Sequence, residues 1–129
     1  MPKVDENAHV PVVDAAARER LQEALDREGV VSAMLIGSQA RGNPGPLSDV
    51  DIAYWHEPDL SDDERWSLHA ALIGAAEEVL HTSEVDLVPL NEAPPLLRQR
   101  SIRGAVPLVE RDRDERVRLE TRAMLGWRN

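Results

Sequence analysis

A chain of 129 residues with a 42% apolar fraction has the size and composition of one globular domain with a modest core. Its formal net charge of −9 argues against a nucleic-acid partner, because phosphate binders usually present a basic face. Cysteine is absent, which excludes thiol chemistry, and neither a membrane-length apolar run nor a signal peptide is found, so we expect a cytoplasmic protein without a membrane partner.

The beginning of the chain has no helical period, and residues 1–13 are predicted to form a flexible arm. We expect a single domain over residues 14–129. Asp14 is a typical N-cap residue, and apolar positions at helical spacing predict a helix from Ala15 to Glu28. The almost wholly apolar run from Val30 to Ile36 then predicts a strand in the centre of a sheet.

The middle of the chain has the pattern strand, helix, strand. A strand is predicted over residues 50–55 and is closed by Pro58. Ser61 then caps a helix that continues to about residue 80, and the acidic residues of its first turn are favourable there. Residues 84–89 alternate in polarity and predict a third strand.

The last third of the chain is predicted to be a helix, a strand and a helix. The first helix starts near Ala93, and a strand follows over residues 106–110 at the edge of the sheet, since Pro107 cannot donate to a neighbour there. A C-terminal helix is expected over residues 112–126. It is more apolar than a solvated helix requires, which leaves two interpretations open: the helix packs back on the sheet, or it presents a partner surface that includes Trp127 and Leu125.

The motif with the clearest chemistry follows the first strand. A Gly-Ser turn, Gly37-Ser38, comes after the first apolar run, and Asp49 and Asp51 open the second. Because alternate side chains of a strand share a face, the two carboxylates are expected side by side. Neighbouring carboxylates repel each other unless a cation lies between them, and Mg²⁺ prefers such oxygen ligands together with substrate phosphates.

A third acid is expected from the third strand, where both Glu84 and Asp86 are candidates. In a two-metal nucleotidyl transfer, one ion would be held by Asp49 and Asp51 on the triphosphate. The second ion would be shared with Asp86, which could also accept the proton of the attacking hydroxyl.

The Gly-Ser turn has the parts of a phosphate site. Gly37 allows a close backbone approach and Ser38 offers a hydroxyl, so both are predicted to hold the β- and γ-phosphates. Arg41 could stabilise charge that develops in the reaction, or could form a salt bridge with Asp49. Ser48 is a further nucleotide-binding candidate, although a cap on the turn before Asp49 is its favoured role.

The stretch from Gly37 to Asp51 resembles the signature of the minimal nucleotidyltransferases, a family within the DNA polymerase beta-like superfamily. Their pattern is Gly-Ser-x-Ala-Arg-Gly, a short loop, and Ser-Asp-x-Asp. Residues 85–88 resemble the third acidic strand of that family, which makes Asp86 the matching acid. We therefore expect an α/β (α+β) nucleotidyltransferase fold with a small mixed sheet of about four strands, helices on one side and the motif at one edge.

The resemblance also implies a biological role. Minimal nucleotidyltransferases are commonly antitoxins that transfer AMP from ATP to a tyrosine of a HEPN-type RNase toxin. We expect two Mg²⁺ ions as the cofactor of this transfer. One alternative is transfer to a small hydroxyl compound such as an aminoglycoside, and another is an antitoxin that binds its partner without chemistry. The three acids favour an enzyme, and the short chain favours a protein acceptor over a small one.

Overall fold

A computed structural model describes residues 13–40 and 49–126 of the chain. Its strands are β1 (Val30–Ile36), β2 (Val50–His56), β3 (Val85–Pro89) and β4 (Val106–Glu110). Its helices are α1 (Ala15–Leu25), α2 (Gly37–Ala40), α3 (Asp62–Leu80), α4 (Pro95–Ile102) and α5 (Arg113–Gly126), and a 3-10 turn covers Leu90–Glu92. Several sequence predictions concern residues outside the described part: most of the arm, Arg41, Ser48 and Trp127.

The four strands form one mixed sheet in the order β3-β2-β1-β4. β1 is antiparallel to both of its neighbours, β2 and β4, whereas β2 and β3 run parallel. A parallel pair needs a long connection, and α3 supplies it. The α/β class, the four mixed strands and the edge position of β4 are thereby confirmed.

Helices cover both faces of the sheet, so the expectation of helices on one side was wrong. On one face, α1 and α3 pack against the sheet through residues such as Leu21 and Leu72. On the other face, Trp55 of β2 packs with Ala123 of α5 and with the 3-10 turn. Every position of β1 is buried. A sheet whose central strand is apolar on both faces needs cover on both.

Local capping explains where two of the helices begin. Asp14 accepts a hydrogen bond from the backbone N–H of Ala17 (2.8 Å) at the start of α1. Ser61 and Glu64 form a reciprocal capping box at the start of α3, as the sequence pattern predicts. α1 ends at Leu25, before the predicted residue 28, because the chain turns there to enter β1.

The motif lies at one end of the two central strands and not at an edge strand, which corrects the second part of the fold expectation. Gly37 directly follows β1, and Asp49 directly precedes β2. Since β1 and β2 are antiparallel neighbours, these two ends meet. Among the described helices, none has the length and apolar character that a bilayer crossing requires.

Candidate active site

The parallel pairing of β2 and β3 places Asp51 opposite Asp86. Directly opposed residues of neighbouring strands project from the same face of a sheet, so the two carboxylates are neighbours. On its other side, Asp51 is paired with Ile36, the last residue of β1. Asp51 therefore occupies the centre of the motif, between the strand that leads into the Gly-Ser turn and the strand that carries Asp86.

The pKa of Asp51 shows that Asp49 and Asp86 both lie close enough to act on its carboxyl group. Burial raises the pKa of the Asp51 carboxyl above its ordinary value of 3.8, and the charges of Asp86 and then Asp49 raise it further. Asp49 itself is exposed at the entrance to β2. The predicted acids thus form one repelling group around Asp51.

Of the two candidates for the third acid, Asp86 is the one that reaches this group. Glu84 lies before β3, where its backbone carbonyl accepts a hydrogen bond from the N–H of Val50 (3.0 Å). It is not among the charges that raise the pKa of Asp51.

Gly37 lies close to Asp51 of the acidic group. Its φ of +72° lies in the left-handed region, and a Cβ added there would be 2.8 Å from Oδ2 of Asp51. Both the conformation and the missing side chain are therefore required for the turn to contact the carboxylate. Sequence reasoning had assigned this glycine to phosphate binding and had missed its contact with Asp51.

The Gly-Ser turn is continued by α2, to which the backbone of Ser38 belongs. Gln39 of α2 is 6% exposed, and its Oε1 accepts a hydrogen bond from the backbone N–H of Val13 (3.2 Å). This contact joins the turn to the residue before the N-cap of α1. Arg41 and Ser48, the two remaining predicted nucleotide-binding residues, lie outside the described residues.

The donor set of the acidic group fits Mg²⁺, which takes hard oxygen ligands. The burial and mutual repulsion around Asp51 are what a bound cation relieves. Within residues 13–40 and 49–126, no group of three or more His, Asp or Glu side chains is arranged closely enough to hold a metal ion. The residues that would hold such an ion are Asp49, Asp51 and Asp86. They lie at the same end of the sheet, so changes of side-chain rotamer would bring their carboxylates together.

Three arginines lie on α4 or at its end: Arg98 and Arg100 belong to the helix, and Arg103 is its C-cap residue. The three side chains have different surroundings. Arg100 and Arg103 line a cavity together with Gly37, whereas Nε of Arg98 donates to the carbonyl of Ala93 (2.8 Å). Only the packing of α4 beside the end of β1 reveals this neighbourhood.

The chain was compared with known families and structures. The family model described as polymerase beta, nucleotidyltransferase matches residues 19–114. No curated protein matches the sequence. A solved structure provisionally assigned as a minimal nucleotidyltransferase is 33% identical, with 72% of this chain and 90% of that chain covered and a TM-score of 0.61.

Two further structures are of toxin–antitoxin complexes. One is a toxin–antitoxin with AMP-PNP, 25% identical over 85% of this chain and 86% of the matched chain, with a TM-score of 0.61. The other is a tri-AMPylated HEPN toxin in complex with an MNT antitoxin from Shewanella oneidensis, 22% identical over 88% of this chain and 86% of the matched chain, with a TM-score of 0.57. At 22% identity, the second structure is evidence for a shared fold alone.

Proposed function

The chain belongs to the minimal group of the polymerase beta nucleotidyltransferase family, and from this premise we propose that it is an antitoxin that transfers AMP from ATP to a tyrosine hydroxyl of a HEPN-type toxin. One observation carries the chemistry: Asp51 and Asp86 are opposed across β2 and β3, with the turn at Gly37 against Asp51. That the acceptor is a toxin and the donor is ATP is inferred from the sequence resemblance. Two structurally similar complexes, one with AMP-PNP and one with an AMPylated toxin, support the inference.

Each part of the site has a role in this reaction. The turn at Gly37 and Ser38 holds the β- and γ-phosphates of ATP through its backbone and hydroxyl. Asp86, on β3, faces the acceptor and takes the proton of its hydroxyl. Asp49 and Asp51 are the ligands that would hold Mg²⁺ on the triphosphate, and Asp86 would share a second ion. When bound, Mg²⁺ supplies positive charge that stabilises the transferring phosphate and the leaving group.

The bonds of the reaction follow from these positions. The tyrosine oxygen forms a bond to the α-phosphorus of ATP, and the bond between that phosphorus and the bridging oxygen to the β-phosphate breaks. Pyrophosphate leaves from the Gly37 side, and the hydroxyl proton passes to Asp86. The product is a tyrosine that carries a phosphodiester-linked AMP, a bulky anion at the toxin's surface.

The experiment is to incubate the purified protein with Mg²⁺, ATP labelled on the α-phosphate and the toxin encoded beside it. We expect label on a toxin tyrosine. The variant Asp49→Ala/Asp51→Ala should transfer none, whereas Asp63→Ala, which removes an exposed acid of α3, should transfer as the wild type does.

Three results would contradict the proposal. Transfer by the double variant would show that the acidic group is not the site. Transfer to a small hydroxyl compound but not to the toxin would identify another acceptor class. Suppression of toxicity by the double variant, with no label on the toxin, would show that binding alone neutralises the partner.

A further inference from the structure

A cavity of about 490 Å³ opens beside the Gly-Ser turn. Its volume is in the range of small-molecule sites. It lies where the end of β1 meets the end of α4 and the start of the connection to β4. The lining residues come from these two segments: Ile36, Gly37, Arg100, Ser101, Arg103 and Gly104.

The sheet order places this cavity on the side of the donor nucleotide. β3, which carries Asp86, is the neighbour of β2 at one edge, whereas β4 is the neighbour of β1 at the other. The cavity lies at the β1 and β4 side, where Leu35 is paired with Val106. In the proposed reaction the acceptor approaches Asp86, and the triphosphate extends to Gly37. The cavity therefore continues the path of the triphosphate away from the acceptor.

Both charged residues among the described lining of the cavity are positive. Within the described residues, neither Arg100 nor Arg103 takes part in an ion pair. Arg20 and Arg122 are likewise outside the ion pairs of the described residues, so Arg100 and Arg103 are distinguished by their shared place at one cavity beside Gly37. In a protein of net charge −9, two unneutralised guanidinium groups at one cavity form a local site for an anion.

The backbone holds Arg103 in place at this cavity. The N–H of Arg103 donates to the carbonyl of Gln99 (3.2 Å) at the end of α4. Gly104 follows with a φ of +77°, a conformation that lets the chain leave the helix at once. β4 begins two residues later and pairs with β1, so the end of α4 is fixed relative to Gly37.

A second cavity, of about 690 Å³, is a poorer site for an anion. It lies between the end of α1 and α3. Four of its five charged lining residues are acidic: Glu28, Glu57, Asp63 and Glu64. Its acidic lining repels phosphate, so it is a poorer candidate than the cavity beside Gly37.

We propose that Arg100 and Arg103 bind the β- and γ-phosphates of the donor nucleotide and retain them as pyrophosphate leaves. This inference rests on the proposed nucleotidyl transfer and adds two positive groups, from α4 and from its C-cap, to the backbone contacts of the Gly-Ser turn. A guanidinium group presents a planar set of donors that matches two phosphate oxygens. The two side chains thus counter the charge of a tetra-anionic ligand at a site that contains three acids.

The test is calorimetric titration of the full chain, in Mg²⁺, with ATP, with inorganic pyrophosphate and with AMP. The variant Arg100→Gln/Arg103→Gln should bind ATP and pyrophosphate at least about tenfold more weakly, because one lost charge-assisted hydrogen bond already has about that effect. AMP lacks the β- and γ-phosphates, so its affinity should not change. The matched control is Arg20→Gln, an exposed arginine of α1, which packs on the opposite face of the sheet.

The outcomes separate this inference from the proposed function. If the double variant binds pyrophosphate as the wild type does, or if AMP affinity falls by the same factor as ATP affinity, the phosphate role of these arginines is refuted and the transferase proposal stands. If the wild type binds neither ATP nor pyrophosphate, the proposed function fails and this inference with it. Thermal unfolding of each variant checks that the fold is kept, and the single variants Arg100→Gln and Arg103→Gln repeat the test with smaller changes.

Discussion

Asp51 and Asp86 are direct partners across the parallel pairing of β2 and β3. They come from strands separated by the whole of α3, yet the charge of Asp86 adds to the burial that raises the pKa of Asp51. A pair of acids so placed destabilises a protein unless a cation neutralises it. The cost in stability and the proposed binding of Mg²⁺ therefore have the same origin.

The first prediction concerns that cost. The pKa of Asp51 is raised by burial and by its acidic neighbours, so the folded protein binds more protons than the unfolded chain between pH 3.8 and the folded pKa. Stability from this group consequently falls as the pH rises through the folded pKa and stays reduced at pH 7. Asp51→Asn removes the charge and should raise the melting temperature at pH 7 in EDTA by about 2 °C or more.

Differential scanning fluorimetry with EDTA and with Mg²⁺ measures this effect. Mg²⁺ should raise the melting temperature of the wild type and leave that of Asp51→Asn almost unchanged. The control Asp63→Asn removes an acid from the first turn of α3, where a negative charge is favourable, and should not raise the melting temperature. A lower melting temperature for Asp51→Asn in EDTA would contradict the electrostatic account.

The second prediction concerns Gly37. Gly37→Ala places a Cβ 2.8 Å from Oδ2 of Asp51 in a backbone conformation that alanine adopts at a cost. We expect a loss of about 1–3 kcal/mol in the free energy of unfolding, together with loss of AMP transfer. Urea denaturation and the labelling assay give the two values.

Gly74 offers a matched control for this change. It lies inside α3, and a Cβ added there would meet nothing within 4 Å. Gly74→Ala should therefore stabilise the protein by about 0.5–1 kcal/mol, through helix propensity alone, and leave transfer unchanged. Equal effects of the two substitutions would show that the contact between Gly37 and Asp51 does not matter.

The third prediction concerns the start of α3. Oγ of Ser61 accepts the N–H of Glu64 (3.2 Å), and Oε1 of Glu64 accepts the N–H of Ser61 (2.8 Å). Ser61→Ala removes half of this box and should cost about 1 kcal/mol in chemical denaturation. Ser67→Ala, at an exposed position inside the same helix, should cost nothing or stabilise slightly. A neutral Ser61→Ala would mean that the capping box contributes little to folding.

The fourth prediction addresses the C-terminal helix, for which both interpretations were left open. Ala123 is 1% exposed and belongs to the cluster around Trp55, whereas Leu125 is 52% exposed. Ala123→Glu buries an unpaired charge and should prevent folding or cost several kcal/mol, about 3 or more, by circular dichroism melts. Leu125→Glu should leave the melting temperature unchanged.

The same pair of variants separates packing from partner binding. If α5 also presents a partner surface, Leu125→Glu should weaken toxin binding in a pull-down while it keeps ATP binding. Unchanged toxin binding by Leu125→Glu would assign α5 to packing alone. A folded and stable Ala123→Glu would contradict the position of α5 against the sheet.

Several elements could be predicted because their signals are local. β1 and β4 have the bounds that apolar patterning indicates, and α3 starts at its capping box. The end of α1 and the 3-10 turn over Leu90–Glu92 were not predicted, since each depends on where the chain must go next. Leu90 is fully buried in that turn only because the second helical layer covers it.

The second helical layer had a signal in the sequence that was not used. β1 is apolar at nearly every position, which is typical of a strand covered on both faces. The position of Arg100 and Arg103 beside Gly37 had no such signal. It depends on how α4 packs against the sheet. Charged residues in a short helix form no sequence pattern from which the residues packed beside them can be predicted.

The amino-acid sequence alone determined the strands, the caps and the acidic motif, because these follow from residues within a few positions of one another. Only the tertiary structure decided that Asp86, and not Glu84, is opposed to Asp51, and that two arginines of α4 border the Gly-Ser turn. Strand register and helix packing bring together residues far apart in the chain, and their positions depend on the burial of the whole core.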